Sequence, residues 1–235
     1  MTLNYRNIKM TVRHPANPNL TLHYEDAFLG LPIQFDKGPF VREYLERLHQ
    51  TTFRALDQYK RVFAFRFDLR LPASHGICNS AYENEIIDRF IESFKAKIRH
   101  NRQMALRDNK HAHDTVVRFC WAREVGQQTR EGGQRARAHY HLVILLNYDA
   151  YCALGKFSPG RDNMFNRLQD AWASALGLPP DAVVGLVEIP ANPCYHICRD
   201  DIESIAQFFF RASYLCKAAT KAFGNGGHAF GASRI

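Results

Sequence analysis

The stretch Ala138-His-Tyr-His-Leu-Val-Ile-Leu-Leu-Asn147 carries the strongest structural signal in the chain. From Leu142 onward it is apolar up to the final asparagine, so both faces of an extended strand would be buried. Such a strand belongs in the middle of a sheet. It begins with two histidines that flank Tyr140, and alternation puts both imidazoles on one face and the tyrosine on the other. The stretch therefore predicts a central strand that opens on a polar site.

Two more strands are predicted from the alternation of apolar and polar residues. Residues 61–71 read Arg-Val-Phe-Ala-Phe-Arg-Phe-Asp-Leu-Arg-Leu and are stopped by Pro72, and residues 115–125 read Thr-Val-Val-Arg-Phe-Cys-Trp-Ala-Arg-Glu-Val. A period of two indicates strands with one face in the core. The side chains expected on that face are Phe63, Phe65, Phe67, Leu69 and Leu71 in the first strand, and Val117, Phe119 and Trp121 in the second.

The remaining regular elements are one strand and four helices. Residues 183–189, Val-Val-Gly-Leu-Val-Glu-Ile, predict a fourth strand that ends before Pro190. Apolar residues at helical spacing predict the helices, and the last of these opens at Asp200 with Glu203 as its capping-box partner. The predicted helices cover residues 39–59, 82–108, 161–176 and 200–221.

From residue 61 the predicted order is βαββαβ, followed by one more helix. This order is typical of an α+β fold with a ferredoxin-like, split βαβ antiparallel sheet. The two crossover helices are expected to cover one face of the sheet and to leave the other face available for a site. Residues 1–38, which proline and glycine interrupt repeatedly, are expected to form an irregular N-terminal arm or small cap before a domain over residues 39–235.

Composition narrows the class of partner and the compartment. The 235 residues carry a formal net charge of +8, which suits a polyanionic partner such as DNA or RNA. No apolar run approaches the roughly 20 residues that cross a bilayer, and the first residues lack the apolar core of a secretory signal. Six scattered cysteines suit a reduced, cytoplasmic protein. The segment Cys194-Tyr-His-Ile-Cys198 could suggest zinc, but the absence of a second ligand pair favours a structural interpretation.

His139 and His141 are the first candidate site residues. A lone histidine on an apolar strand is more often a hydrogen-bonded core residue, whereas two on the same face can chelate one divalent cation. If the hairpin connection is centred on residues 131–132, Glu124 lies directly opposite His139 and points the same way. Two imidazoles and one carboxylate predict a site for Mg²⁺ or Mn²⁺ with open positions for substrate phosphate. The alternative for Glu124 is a solvated residue at a strand end.

Tyr214 and Lys217 are the second candidate pair. They lie three residues apart on the last predicted helix and would therefore be surface neighbours. A phenol is mostly protonated at neutral pH and is a poor nucleophile, but a nearby ammonium group and a polarised phosphate make attack feasible. An amphipathic helix also produces this spacing by chance, with the tyrosine simply buried. The pair gains weight because it follows the histidine pair on a helix that could lie over the open face.

A second His-x-His, His111-Ala-His113, serves as a comparison within the chain. It lies in the polar stretch Asp108-Asn-Lys-His-Ala-His-Asp114, where no apolar strand would hold the imidazoles rigid. We interpret it as a solvated loop or a DNA contact rather than as a catalytic metal site.

These motifs, in this order, resemble those of the HUH endonucleases. The chain more closely resembles the inovirus replication-initiator-like family, which is also known from prophage YagK/YfjJ-type proteins. The resemblance spans roughly residues 39–235. The segments that carry it are Arg61-Val-Phe-Ala-Phe-Arg-Phe-Asp-Leu-Arg70, Ala138-His-Tyr-His-Leu142, Tyr214-Leu-Cys-Lys217 and Phe230-Gly-Ala-Ser-Arg234.

The resemblance implies a replication-initiation endonuclease and strand transferase. His139 and His141, with Glu124, would hold the cation on the scissile phosphate of single-stranded or hairpin origin DNA. Tyr214 would attack that phosphate, leaving a 5′-phosphotyrosine link and a free 3′-hydroxyl for the host polymerase, and Lys217 would stabilise charge or help position the metal. Rolling-circle replication of a phage, prophage or plasmid in a bacterial cytoplasm would follow. Because no Gly-x-x-x-x-Gly-Lys-[Ser/Thr] motif occurs in the sequence, a helicase would come from the host.

Contacts with the DNA strand are predicted for three arginines, and two other functions stay open. Arg66 and Arg70 face away from the predicted core on the first strand, and Arg118 does so on the second. Taken singly, each is more often a solvated surface residue. The first alternative function is a non-catalytic DNA-binding regulator on the same fold. The second is a metal-dependent RNA-processing enzyme or phosphoesterase.

Overall fold

The structure is a computed structural model that describes residues 12–72, 80–125, 138–221, 223 and 227–234, with only the backbone given for residues 80–83. The α-helices in these ranges are α1 Arg42–Gln58, α2 Ser80–Asp108, α3 Met164–Leu176 and α4 Ile202–Ser213. The strands are β1 Arg13–His14, β2 Asn17–His23, β3 Ala27–Phe28, β4 Leu31–Pro32, β5 Phe40–Val41, β6 Arg61–Arg70, β7 Arg118–Val125, β8 Ala138–Asn147, β9 Val187–Glu188, β10 Cys194–Cys198 and β11 Phe230–Ala232. Short 3-10 helices cover Phe35–Lys37, Pro180–Val183 and Tyr214–Cys216. None of the helices described is long and apolar enough to cross a bilayer.

Six of these strands form the main sheet. Their order is β10-β6-β8-β7-β11, and β9 also pairs with β6. Every pair in this sheet is antiparallel. Because β6 and β7 are both antiparallel to β8, they run in the same direction, and α2 lies between them in the chain. The predicted α+β class, the antiparallel sheet and the central position of β8 are confirmed.

One face of the sheet carries large aromatic side chains and is covered by α2 and α3. Trp172 of α3 lies edge-to-face against Phe90 of α2 and Tyr140 of β8. Its indole N–H donates a 3.0 Å hydrogen bond to the carbonyl oxygen of Arg70, so this buried polar group is satisfied. The predicted alternation in β6 is confirmed, since its alternate residues on this face are fully buried: Phe63, Phe65, Phe67 and Leu69.

The other face carries small apolar side chains and is largely covered. Val62 and Ala64 of β6, with Val143 and Leu145 of β8, belong to a second core that also contains buried residues of α1 and α4. The expectation that this face stays open is therefore wrong for the half of the sheet that carries these residues. The reason is visible in β6, whose first half places small apolar residues on this face while its second half places charged ones there. A site can form only at the charged end.

The segment before α1 is more regular than expected. Residues 12–38 were predicted to be irregular, but they contain four short strands and one 3-10 helix. β2 pairs with β1 and with β5, and β5 leads directly into α1. Buried Phe28, Leu31 and Ile33 join the core beneath α1 and α4. The alternation in these strands is too short, and too often interrupted by proline, to be recognised from the sequence.

Residues 183–189 do not form a single strand. Pro180–Val183 is a 3-10 helix, Gly185 turns the chain with a φ of +79°, and only Val187–Glu188 pairs with β6. The longer edge pairing comes instead from β10, Cys194–Cys198, which was not predicted and which pairs with β6 over five residues. The cysteines of this segment thus belong to an edge strand. No metal-binding group found in the described residues includes them.

The last helix differs from the prediction at both ends. Asp201, not Asp200, is its N-cap, and the side chain of Asp201 accepts hydrogen bonds from the backbone N–H groups of Glu203 and Ser204. The α-helix ends at Ser213, and a 3-10 turn over Tyr214–Cys216 follows it. The candidate tyrosine therefore lies just after the helix rather than within it.

The position of the N-cap predicts a difference between two adjacent aspartates. Asp201→Ala is expected to lower the free energy of unfolding by about 1 kcal/mol, because two backbone donors lose their acceptor. Asp200→Ala is the control, since the Asp200 side chain is 69% exposed and lies 3.5 Å from the exposed Lys60 ammonium group. Its expected effect is below about 0.5 kcal/mol. Urea denaturation measures both free energies of unfolding, and equal losses for the two variants would contradict the assignment of Asp201 as the N-cap.

Candidate functional site

The strand register brings the predicted histidines next to residues of both neighbouring strands. In the β6–β8 pair, Asp68 lies opposite His141 and Arg70 lies opposite His139. In the β7–β8 pair, Glu124 lies opposite His139, as the hairpin argument predicted. Directly opposed residues share a face. These side chains therefore converge at the charged end of the sheet, on the side of α1 and α4.

Glu124, His139 and His141 have the spacing of a metal-binding group. One potential ligand atom from each of the three lies within 4.8 Å of the others. The Oε2 atom of Glu124 is 3.5 Å from Nε2 of His141 and 4.0 Å from Nε2 of His139. The two imidazole rings are nearly perpendicular, with centroids 4.8 Å apart. Two nitrogens and one carboxylate oxygen around one point are a donor set that could hold a metal ion.

His141 lies between charged side chains of the neighbouring strands. Its Nδ1 atom lies 2.7 Å from Oδ1 of Asp68 and 3.3 Å from Nη2 of Arg66. Its Nε2 atom is buried and makes no hydrogen bond to any residue that the structure describes. A histidine ligand characteristically directs one nitrogen to a carboxylate and presents the other to the metal. Asp68 was not predicted, because only the register of β6 against β8 identifies it as the partner of His141.

The electrostatics favour the cation-binding forms of two of these side chains, His139 and Glu124. Burial lowers the pKa of His139, and the neighbouring His141 lowers it further, so the imidazole is held neutral. Burial opposes ionisation of Glu124, but His141, Lys221 and Lys217 outweigh it and lower the pKa of the carboxyl group below its ordinary value. A neutral imidazole and an ionised carboxylate are the forms that coordinate metal.

Two lysines hold the carboxylate of Glu124 from the side opposite the sheet strands. Nζ of Lys217 lies 3.0 Å from Oε2, and Nζ of Lys221 lies 3.2 Å from Oε1. The side chain of Lys221 is fully buried. Burial lowers the pKa of Lys221 to about 8, although Glu124 acts in the opposite direction. Lys221 was missed at the sequence level, since a lone lysine after the Tyr-x-x-Lys motif carries no signal.

Tyr214 lies beside the histidine pair. Its ring packs edge-to-face against the ring of His141, with centroids 5.3 Å apart. Its hydroxyl oxygen accepts a 2.6 Å hydrogen bond from Nζ of Lys217, the same ammonium group that contacts Glu124. The guanidinium group of Arg66 lies over the ring of Tyr214, 4.7 Å from its centroid. The 3-10 turn, rather than a helical face, thus brings together the five predicted catalytic and metal-site residues.

The three arginines predicted to contact DNA lie at different distances from this site. Arg66 is 6% exposed and lies within the site. Arg70 is exposed at its edge, where it pairs with Glu188. Arg118 lies six residues before Glu124 on β7, roughly 20 Å away, and donates a hydrogen bond to Gln58. The structure does not bring Arg118 to the site, because a shared sheet face says nothing about position along the strand.

The second His-x-His motif lies apart from these residues. His111 and His113 are exposed in the loop between α2 and β7. The candidate metal-binding group among the described residues contains neither of them. The prediction of an exposed loop is confirmed, and a contact of this loop with DNA stays a prediction.

Sequence comparisons place the chain among known proteins. A family model for the YagK/YfjJ C-terminal domain matches residues 24–233. Two proteins of Escherichia coli strain K12, the uncharacterized proteins YagK and YfjJ, are each 30% identical to the chain over 206 and 207 residues, which is 84% of the chain and 95% and 96% of their own lengths. No solved structure matches the chain. The chain is therefore a member of the YagK/YfjJ C-terminal domain family.

Proposed function

We propose that the chain is a metal-dependent, single-tyrosine endonuclease that nicks single-stranded origin DNA and starts rolling-circle replication of a phage, prophage or plasmid. One observation carries the proposal. The ammonium group of Lys217 bridges the hydroxyl of Tyr214 and the carboxylate of Glu124, at 2.6 and 3.0 Å, beside the histidine pair. The hydroxyl of Tyr214, the ammonium group of Lys217 and three potential metal ligands thus lie close together.

The residues present fit a resident divalent cation. Glu124, His139 and His141 would hold it, and the Nε2 atom of His141 is buried and makes no hydrogen bond to a described residue, as a donor atom for a metal would be. A bound Mg²⁺ or Mn²⁺ would polarise the scissile phosphate and neutralise charge that develops on it. Asp68 would keep the ring of His141 in the required tautomer.

The chain's own side chains account for the strand-breaking step. The hydroxyl of Tyr214 loses its proton to solvent, and its oxygen bonds to phosphorus as the bond from phosphorus to the 3′-oxygen breaks. The 3′-oxygen takes up a proton and leaves as a free hydroxyl, while the 5′-phosphate remains linked to the tyrosine. Lys217 donates to the tyrosine oxygen and would stabilise the phenolate as it forms.

The topology and the charge support this assignment. The strand order agrees with a ferredoxin-like split βαβ sheet: β8 lies between β6 and β7, and the fourth strand, on the other side of β6, is broken into β9 and β10. We propose that this is the fold of the domain. A net charge of +8 is compatible with binding the phosphate backbone of DNA.

Incubation with single-stranded DNA and Mn²⁺ tests the proposed function. The substrates are end-labelled fragments that tile both strands of the genetic element encoding the chain. The expected product is an adduct that survives denaturing electrophoresis, with protein on the 5′-phosphate of one fragment. The other fragment should carry a 3′-hydroxyl that a DNA polymerase can extend.

Two outcomes would replace the proposal with one of its alternatives. Specific binding of a fragment without any adduct, at all Mn²⁺ concentrations, would indicate a non-catalytic DNA-binding regulator. Cleavage of RNA without a protein-linked product would indicate an RNA-processing enzyme or phosphoesterase. Either result contradicts a tyrosine-linked nicking reaction.

The proposed metal site predicts that replacing His141 strongly lowers the affinity for Mn²⁺. His141→Gln is expected to lower the affinity for Mn²⁺ on the order of 100-fold, since loss of a ligand should cost at least as much as loss of its outer-shell partner. Isothermal titration calorimetry with Mn²⁺ alone measures this without any DNA. His111→Gln, in the exposed second His-x-His, is the matched control and should leave the affinity unchanged. Equal affinities of His141→Gln and the wild type for Mn²⁺ would show that His141 is not a metal ligand.

Asp68 is expected to act on the metal only through His141. Asp68→Asn keeps the shape of the side chain but removes the charge that faces Nδ1 of His141 at 2.7 Å. The expected loss of Mn²⁺ affinity is about 10- to 100-fold. The same titration measures it, with Asp114→Asn on the exposed loop before β7 as the control. An effect of Asp68→Asn that persists in the His141→Gln background would show that Asp68 acts by another route.

A further inference from the structure

A groove of about 560 Å³ lies beside the site, between α4, β10 and the loop before β10. Its apolar lining includes the rings of Tyr195 and Phe210, and Phe210 is 44% exposed. Asn192 and Gln207 add carboxamide groups, Glu203 adds a carboxylate that accepts a hydrogen bond from Gln207, and Arg211 adds a guanidinium group. Tyr195 is half-buried and packs edge-to-face against Phe208. Aromatic side chains next to amides and a guanidinium group are typical of surfaces that bind unpaired nucleotides.

The groove leads directly to Tyr214 along α4. Phe210 precedes Tyr214 by four residues, about one helical turn, so the two side chains lie roughly 6 Å apart along the helix axis. On the sheet side, the backbone N–H of Arg66 donates to the carbonyl oxygen of Pro193, next to the residues that line the groove. The guanidinium group of Arg66 in turn covers the ring of Tyr214. The groove thus lies about one helical turn from the candidate nucleophile.

Arg66 and Arg211 form an incompletely compensated pair of positive charges at this junction. The Nε atoms of both are buried and have no hydrogen-bond partner among the described residues. Arg211 donates a 3.4 Å hydrogen bond from Nη2 to the carbonyl oxygen of Ala191, and the carboxylate of Asp68 lies 3.7 Å from Arg66. An anion between the two guanidinium groups would accept hydrogen bonds from these unbonded Nε donors.

We propose that this groove is a nucleotide-binding subsite, in which Arg66 and Arg211 hold a phosphate of single-stranded DNA while Tyr195 and Phe210 stack on the adjoining base. The inference rests on the proposed nicking function, because it names the nucleotide next to the scissile phosphate as the occupant. Asn192 and Gln207 would contact the edge of that base and select among bases. The subsite would therefore set part of the sequence preference of the enzyme.

Binding measurements with and without bases test the subsite. The probes are a fluorescein-labelled 20-nucleotide strand of mixed sequence and an abasic strand of the same length and charge. Fluorescence anisotropy is recorded in EDTA with Tyr214→Phe as the parent protein, so that neither metal nor adduct formation contributes. Phe210→Ala is expected to weaken binding of the mixed strand by about 5- to 150-fold, the range of one lost base stack, and to leave binding of the abasic strand unchanged. Arg211→Gln is expected to weaken binding of both strands.

Phe157→Ala is the matched control, because Phe157 is also an exposed aromatic residue but packs against Phe165 of α3. Tyr195→Ala gives a second test of the stacking surface from a different strand. Equal losses for the two probes in Phe210→Ala, or an equal loss in Phe157→Ala, would overturn the subsite. If base-dependent binding is lost in Phe210→Ala while the wild type forms no adduct with any DNA, the subsite stands and the nicking function fails. If adducts form but Phe210→Ala binds both strands normally, the nicking function stands and the subsite fails.

Discussion

Tyr214→Phe is expected to abolish the protein–DNA adduct while leaving the affinity for single-stranded DNA within about 5-fold of the wild type. Phenylalanine retains the ring that packs against His141 and lies under Arg66, so the local structure should persist. Only the hydroxyl that accepts from Lys217 is removed. Without that oxygen no phosphotyrosine bond can form, and strand cleavage should fall on the order of 10³-fold or more.

The measurement compares adduct yield and DNA affinity in the same preparations. Adducts are counted after denaturing electrophoresis of end-labelled DNA incubated with Mn²⁺, and affinity is measured by anisotropy. Tyr24→Phe is the control, since Tyr24 is 54% exposed and lies in the segment before α1. It should change neither quantity. A persistent adduct in Tyr214→Phe would assign the nucleophile to another residue, and a loss of DNA binding as large as the loss of cleavage would indicate a structural role.

The central sheet could be predicted because its strands are long and their patterns are simple. β6 alternates over ten residues, and β8 is apolar on both faces after its histidines. The hairpin register also followed from the sequence, because placing Glu124 opposite His139 needs only the midpoint of the connection. These signals are local, and local signals survive without knowledge of the tertiary structure.

The short elements could not be predicted, since their stability comes from the rest of the fold. β9 has only two residues, and β10 pairs with the edge of β6 in a segment whose cysteines and histidine give no clear period. The covering of the second sheet face depends on how α1 and α4 pack together with β1–β5. That arrangement is tertiary, and the small residues Val62 and Ala64 indicate it only in retrospect.

The residues of the candidate site also divide into those that the sequence could predict and those that it could not. Glu124, His139 and His141 could be named from side-chain parity within one hairpin. Asp68 depends on the register between β6 and β8, which a long helix separates in the chain. Lys221 depends on the path of the backbone after Tyr214–Cys216, and no periodic pattern describes that path. Sequence reasoning therefore identified the residues of one hairpin and the Tyr214–Lys217 pair, and missed the charged partners Asp68 and Lys221.

The buried lysine partners of Glu124 lead to the second large expected effect, on the free energy of unfolding. Glu124→Gln is expected to lower the free energy of unfolding by about 3–5 kcal/mol, because it leaves a buried ammonium group without its counter-charge. The Lys221 side chain is fully buried, and that of Lys217 is 11% exposed, so solvent can compensate little. Glutamine keeps the shape of the side chain, which isolates the charge as the cause.

A double-mutant cycle with Lys221→Met distinguishes this explanation from simple loss of packing. Replacing both members of a buried ion pair by uncharged groups is often nearly neutral, so Glu124→Gln with Lys221→Met should recover part of the stability lost by Glu124→Gln alone, with Lys217 still lacking its counter-charge. Glu188→Gln is the matched control, since Glu188 pairs with Arg70 at the exposed edge of the same sheet and should cost no more than about 1 kcal/mol. Urea denaturation in EDTA excludes any contribution from metal. If the double variant is no more stable than Glu124→Gln, the charge of Lys221 is not what Glu124 compensates.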